Sequence, residues 1–263
     1  MSLTGKSPAD TYKDITYVDN SNSGVDSTLR SVKTSEGSTS SISLSDRALQ
    51  VKSATNNTVA LDVQNSAGTT KFSVDTTNNQ VKALGHHVNT QYAYFGLGFY
   101  DAYNFVSGTH HPIPFIANSI GGAGIQDNIT FGTSGEPATT FTTADGANTD
   151  ASLLVPLMWY VPDNISIDGI TSIEGASNSS TTTTRMHIYS YTFTSGSTSA
   201  LTSGTLVAHN DDVTNAGSEQ AYLSTWTVDS AAVASGKVIL AFFRNDTINP
   251  DFSLNITVKY HLT

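Results

Sequence analysis

Cysteine does not occur anywhere in the 263 residues, so disulfides, thiolate nucleophiles and cysteine-based zinc sites are all excluded. Charge is scarce too: Asp, Glu, Lys and Arg make up 13% of the chain, against about 25% in an average globular protein. From residue 83 to 184 there is not one Lys or Arg, and the formal net charge is −10. That balance disfavours a nucleic-acid partner, because a phosphate backbone needs a basic patch. No stretch reaches the roughly 18 apolar residues that span a bilayer, and Met1–Lys6 has no basic run followed by an apolar segment. The expectation is a soluble product made in the cytosol, without a secretion signal or membrane insertion. Lys, Glu, Gln and Leu, which fill long amphipathic helices, are also few.

What replaces the missing charge is Ser, Thr and Asn. Thr is β-branched and suits a pleated surface, while Ser and Asn bond their own backbone in turns, so this composition favours strands and turns. The character of the chain changes near residue 85. Residues 1–82 carry eight bases and eight acids in short polar segments, whereas residues 83–263 carry fourteen acids against only Arg185, Lys237, Arg244 and Lys259, among longer aromatic segments. The asymmetry suggests two ends with different partners.

Residues 1–40 show little periodicity, and 18–24 and 35–41 read as loops. Such a stretch lacks the apolar area to offset a chain entropy of about 1–2 kcal/mol per residue, so it either docks on a partner or stays unfolded. Tyr12, Ile15, Tyr17, Val18, Leu29 and Val32 are the apolar residues that docking would use. From residue 42 a period-2 pattern begins: Ile42 and Leu44, Leu49 and Val51, Val59, Leu61 and Val63, Phe72 and Val74, then Val81. Asn65–Gly68 and Asp75–Asn79 are hairpin turns. Strands this thin bury too little alone, and three copies sharing one apolar face around an axis would solve the problem. Leu61, Val63, Phe72 and Val74 are the residues expected to form that shared face.

Residues 88–263 read as a larger β unit. Strands are expected at about 91–96, 98–106, 112–117, 128–131, 138–143, 151–161, 165–173, 181–194, 200–208, 220–228, 236–244 and 252–262, with one short helix at 229–236. Val238–Phe243 is almost continuously apolar, as in a central strand, and Leu254, Ile256, Val258, Tyr260 and Leu262 alternate strictly. The pattern indicates a sandwich of jelly-roll type. Trp159, Tyr160 and Trp226 are expected in its core.

Several residue groups are candidates for chemistry. His86-His87 and His110-His111 are adjacent pairs, and neighbours on a strand face opposite ways, so each pair offers one inward ligand at most, with His187, His209 or His261 as partners. The acidic loops at 145–150, 210–212 and 245–251 lack the alternation and closing Glu of a calcium loop. Neither a Gly-x-Ser-x-Gly elbow nor His-Glu-x-x-His is present, and Glu occurs only at 36, 136, 174 and 219. The reading is a protein without catalytic residues, metal or cofactor. The run Tyr92–Phe105 holds seven aromatics and reads as a core or subunit-contact strand, with sugar stacking as the alternative.

The segment Val59–Asp75 (VALDVQNSAGTTKFSVD) resembles the short β repeat of bacteriophage fibre stems, and Gly5–Asn20 with Ser27–Lys33 is similar to segments that attach such fibres to the particle. The resemblance covers residues 5–84 and implies a trimeric virion protein. On this reading residues 1–50 are a virion-anchoring segment, 51–87 a short trimeric β stem and 88–263 a jelly-roll-like head, an all-β architecture throughout. The expected partners are two further copies of the chain and other virion proteins of capsid or tail, with a host surface glycan as the ligand such a head could take. The alternative is a capsid decoration or cement protein without receptor role, and the third reading a polysaccharide-degrading appendage.

Overall fold

The computed structural model describes residues 16–21, 23–97, 107–115, 140–143, 154–176, 182–215, 220–246 and 252–263. The chain divides into two compact units, Met1–Val88 and Asn89–Thr263. The described residues are all-β: they hold many antiparallel strands, one short 3-10 turn at Val155–Leu157 and no α-helix.

The first unit is two four-stranded antiparallel meanders. One runs through β1 (Thr16–Val18), β2 (Arg30–Thr34), β3 (Thr39–Leu44) and β4 (Leu49–Val51); the other through β5 (Leu61–Gln64), β6 (Thr70–Asp75), β7 (Gln80–Ala83) and β8 (His86–His87). The expected β pattern starts at residue 42, so β1 and β2 are additions. Tyr17, Val18 and Val32 are their only apolar side chains and give no apolar alternation to read. Ion pairs help to hold them instead: Lys33 Nζ lies 2.7 Å from Asp19, and Arg30 grips both oxygens of Asp26. The guanidinium and the Thr28 N–H, both donating to Asp26, hold its carboxyl down at about 2.

The second unit contributes, in chain order, β9 (Thr90–Leu97), β10 (His110–Ile113), β11 (Thr140–Phe141), β12 (Trp159–Tyr160), β13 (Ile165–Ala176), β14 (Thr182–Thr192), β15 (Gly204–His209), β16 (Val213–Asn215), β17 (Gln220–Thr225), β18 (Thr227–Val228), β19 (Ala232–Val233), β20 (Lys237–Asn245) and β21 (Phe252–Leu262). Strands β17, β13, β21 and β9 form one sheet in that order, with β19 beside β13. The other sheet runs β10, β20, β14, β15, β11, with β12, β16 and β18 attached. The two sheets close a sandwich over Phe95, Ile170, Ile256 and Val258 from the first and Ile113, Ile188, Ile239 and Phe243 from the second. Phe95 and Trp159 meet edge to face across it, ring centroids 6.4 Å apart.

The eight-stranded sheet is buried on its other side as well. Leu240, Phe242, Tyr189 and Tyr191 pack there beneath Phe141, Leu154, Leu157 and Leu201. This double burial explains why Val238–Phe243 carries no polar alternation: both faces of β20 are interior. Thr143 fastens the covering segment, with its N–H and hydroxyl both donating to the Leu201 carbonyl and its Oγ1 accepting from the Leu201 N–H.

Two expectations for this unit are corrected. Residues 229–236 are no helix: Val233 is drawn into the core opposite Ile165, the Ala231 carbonyl accepts from the Ile167 N–H, and Gly236 turns at φ +80° into β20. Trp159 and Trp226 are core residues, but Tyr160 is 54% exposed, since β12 turns only alternate side chains inward. The expected strands at 98–106 and 128–131 lie outside the described residues.

Candidate functional site

The first unit has the clearest site, an apolar face that is at most half-buried. Register in the second meander places Leu61, Val74 and Val81 in one cross-strand row and Val63, Phe72 and Ala83 in the next. Residues two apart share a face, so all six side chains lie on one side of the sheet. The turns fix this register. Asn65 Oδ1 accepts from the N–H groups of Ala67 and Thr69, and Gly68 takes φ +77°. Asp75 Oδ1 accepts from the N–H groups of Thr77 and Asn78, and its other oxygen from the Asn78 amide, which with these contacts holds its carboxyl below the usual range. In the first meander Ile42 stands opposite Val51 and Leu44 opposite Leu49.

Not one described residue between 16 and 88 is buried. Leu49 is 67% exposed, Val63 50% and Leu61 38%, while Phe72 and Val74 are half-buried. Leu61, Val63, Phe72 and Val74, the residues expected to meet other copies of the chain, lie on one side of this sheet. The anchoring set is less coherent. Tyr12 and Ile15 lie outside the described residues; Val32 stands opposite Val18, Tyr17 opposite Lys33 in the adjacent row on the other side, and Leu29 precedes β2 at 40% exposure.

In the second unit His110 and His111 are both buried, which corrects the expectation of one inward ligand per pair: their sheet is interior on both sides. The His110 ring lies 5.4 Å from that of His187 and 4.8 Å from Phe141, and the His111 ring 5.5 Å from Phe243. His209 and His261 each pair with a carboxylate, Asp229 and Asp168, at 2.8 Å. Of the acidic loops, residues 145–150 and 247–251 lie outside the described residues, while Asp212 pairs with Arg185 and Asn210 accepts from the Met186 N–H.

Sequence reasoning missed two features. Glu174 is 2% exposed in the sandwich interior; one oxygen accepts from Ser224 Oγ at 2.9 Å, the other is buried without a hydrogen-bond partner among the described residues, and burial pushes the carboxyl up to about 7. Beside it the Trp226 indole N–H donates to Ser172 Oγ at 2.9 Å. The second is a cleft of about 330 Å³ in the β14–β15 connection, lined by Phe193, Leu201 and hydroxyls that include Thr192, Thr194 and Ser203. A run such as Ser195-Gly-Ser-Thr-Ser199 reads as an ordinary loop, so nothing in the sequence marks it.

Comparison with models of known protein families gives no match, and comparison with curated proteins gives none.

Proposed function

We propose that this protein is a non-enzymatic structural protein of a phage virion: a short homotrimeric fibre or spike, attached through its N-terminus to capsid or tail, that presents its β-sandwich for adsorption to a host surface. The observation that carries the reading is the aligned apolar face of residues 61–83, none of it fully buried, in a unit with no buried residue among those described. Fully burying a Val, Leu or Phe side chain is worth about 1.5–3 kcal/mol, so completing the burial of five of them per chain favours association. Three copies wound about an axis bring every copy's face inward at once. The sequence resemblance to fibre stems, the neutral first part and the acidic second part support the virion assignment. Trimeric display lets individually weak contacts to a host glycan add up.

Light scattering on the full chain tests the assembly, with a mass of three chains expected; a stable monomer refutes it. Labelled particles viewed by electron microscopy test the mount. Label spread over the capsid, with particles made fragile by deleting the gene and no binding of the protein to cells, would assign it instead to capsid decoration.

A further inference from the structure

The β17-β13-β21-β9 sheet turns its second side away from the sandwich core, and that side is nearly uncharged where solvent-facing sheets are usually charged. Leu223 and Ile173 stand opposite each other at 74% and 57% exposure; two strands over, Tyr94 and Tyr92 are 47% and 53% exposed. Their neighbours Phe95, Ser172 and Leu254, one residue along or on the adjacent strand, point inward and are buried, so the assignment of sides is unambiguous. Register fills the positions between the large residues with Thr, Ser, Asn, Ala and Gly, and Lys259 is the one charge among them. None of the fourteen acids of residues 83–263 lies on these rows. Asp168 sits at the bulge beyond them and is tied to His261.

We infer that this face packs against a neighbouring copy of the same chain within the oligomer. The inference rests on the homotrimer reading above and adds to it a second contact, made by the sandwich itself. Charge selects the occupant. Copies of an acidic domain repel wherever carboxylates meet, and here described rows that carry no acid let them approach. Small side chains between four large ones allow the two backbones to come close, as subunit contacts require. Because the first unit holds the copies together, the second contact forms at high effective concentration and need not be strong alone. A saccharide is the poorer occupant, since recognition of its hydroxyls calls for several convergent polar groups beside the aromatic rings, and Asn255 is the one amide on these rows.

The natural absence of cysteine makes the test direct. Leu223→Cys, Ile173→Cys, the stem variant Val63→Cys and the loop control Thr202→Cys are made singly in the full chain and reacted with a maleimide. The expected result is that positions 223, 173 and 63 react slower than 202 by roughly tenfold or more, because interface cores pack as densely as interiors. Fast reaction at 223 and 173 in a chain that is trimeric by light scattering overturns this contact and leaves the trimer standing. A monomeric chain instead removes the trimer reading itself. Protection at 223 and 173 that appears only on adding host envelope polysaccharide also overturns the inference. As a check independent of cysteine, a Leu223→Glu/Ile173→Glu trimer should sediment more slowly than the native one at equal mass; unchanged sedimentation counts against the contact.

Discussion

Replacing Glu174 by Gln should stabilise the sandwich strongly at pH 8 and by less than about 1 kcal/mol at pH 5. The carboxyl is almost fully buried, Ser224 donates to one oxygen, and no cation is hydrogen-bonded to the other among the described residues. Folding raises its value from 4.5 to about 7, so its contribution to stability is complete below pH 4.5 and is lost as the pH climbs through 7. At 1.36 kcal/mol per pH unit the loss is about 3 kcal/mol. Gln keeps the acceptor for Ser224 and never ionises. At pH 5 the protonated acid and the amide both place an unpaired donor at the second position, so that cost cancels. For a unit of this size about 3 kcal/mol corresponds to roughly 6–12 °C in melting temperature. Calorimetry of both proteins from pH 5 to pH 8 provides the measurement, and the difference between them removes the pH dependence of every other carboxylate. Parallel melting curves across the range, or a variant less stable at pH 8, would refute the reasoning.

Three further outcomes are expected. Phe72→Asp with Val74→Asp should convert the oligomer to monomers in light scattering, because assembly would bury two charges on the shared face; an intact oligomer would show that this face is not the contact. Removing residues 1–52, which takes away the first meander whole and leaves β5–β8, should yield a folded oligomer that no longer enters particles, checked by immunoblot of purified virions. Gly204→Ala should lower the melting temperature, because its Cβ would collide with the Tyr191 ring and lie 2.9 Å from the Phe141 carbonyl; overpacking of this kind costs about 1–3 kcal/mol, and an unchanged melting curve would contradict the packing described.

Where apolar residues alternate with polar ones, the strand and the side chains that share one of its faces are legible in the sequence: Leu61 and Val63, Phe72 and Val74, and Leu254, Ile256 and Val258 all lie as their spacing implies. The continuous run at 238–243 likewise implies a central strand, and the structure adds that both its sides are interior. Periodicity is a property of one strand, however, and it is silent about what covers the strand. Thr16–Val18 and Arg30–Thr34 carry no apolar alternation and became strands through pairing and the ion pairs at Asp19 and Asp26. Tyr160 looks like a core aromatic and is exposed, Glu174 looks like a surface acid and is buried, and His110 and His111 face opposite ways yet are both interior. Each of these outcomes depends on which sheet lies above a given face, and that is decided by contacts between residues distant in sequence. The bare apolar faces at 61–83 and at Tyr92, Tyr94, Ile173 and Leu223 follow the same rule. Alternation dictated that one side of each strand would be apolar, and only the pairing of strands and the stacking of sheets determined that this side is left uncovered in the single chain.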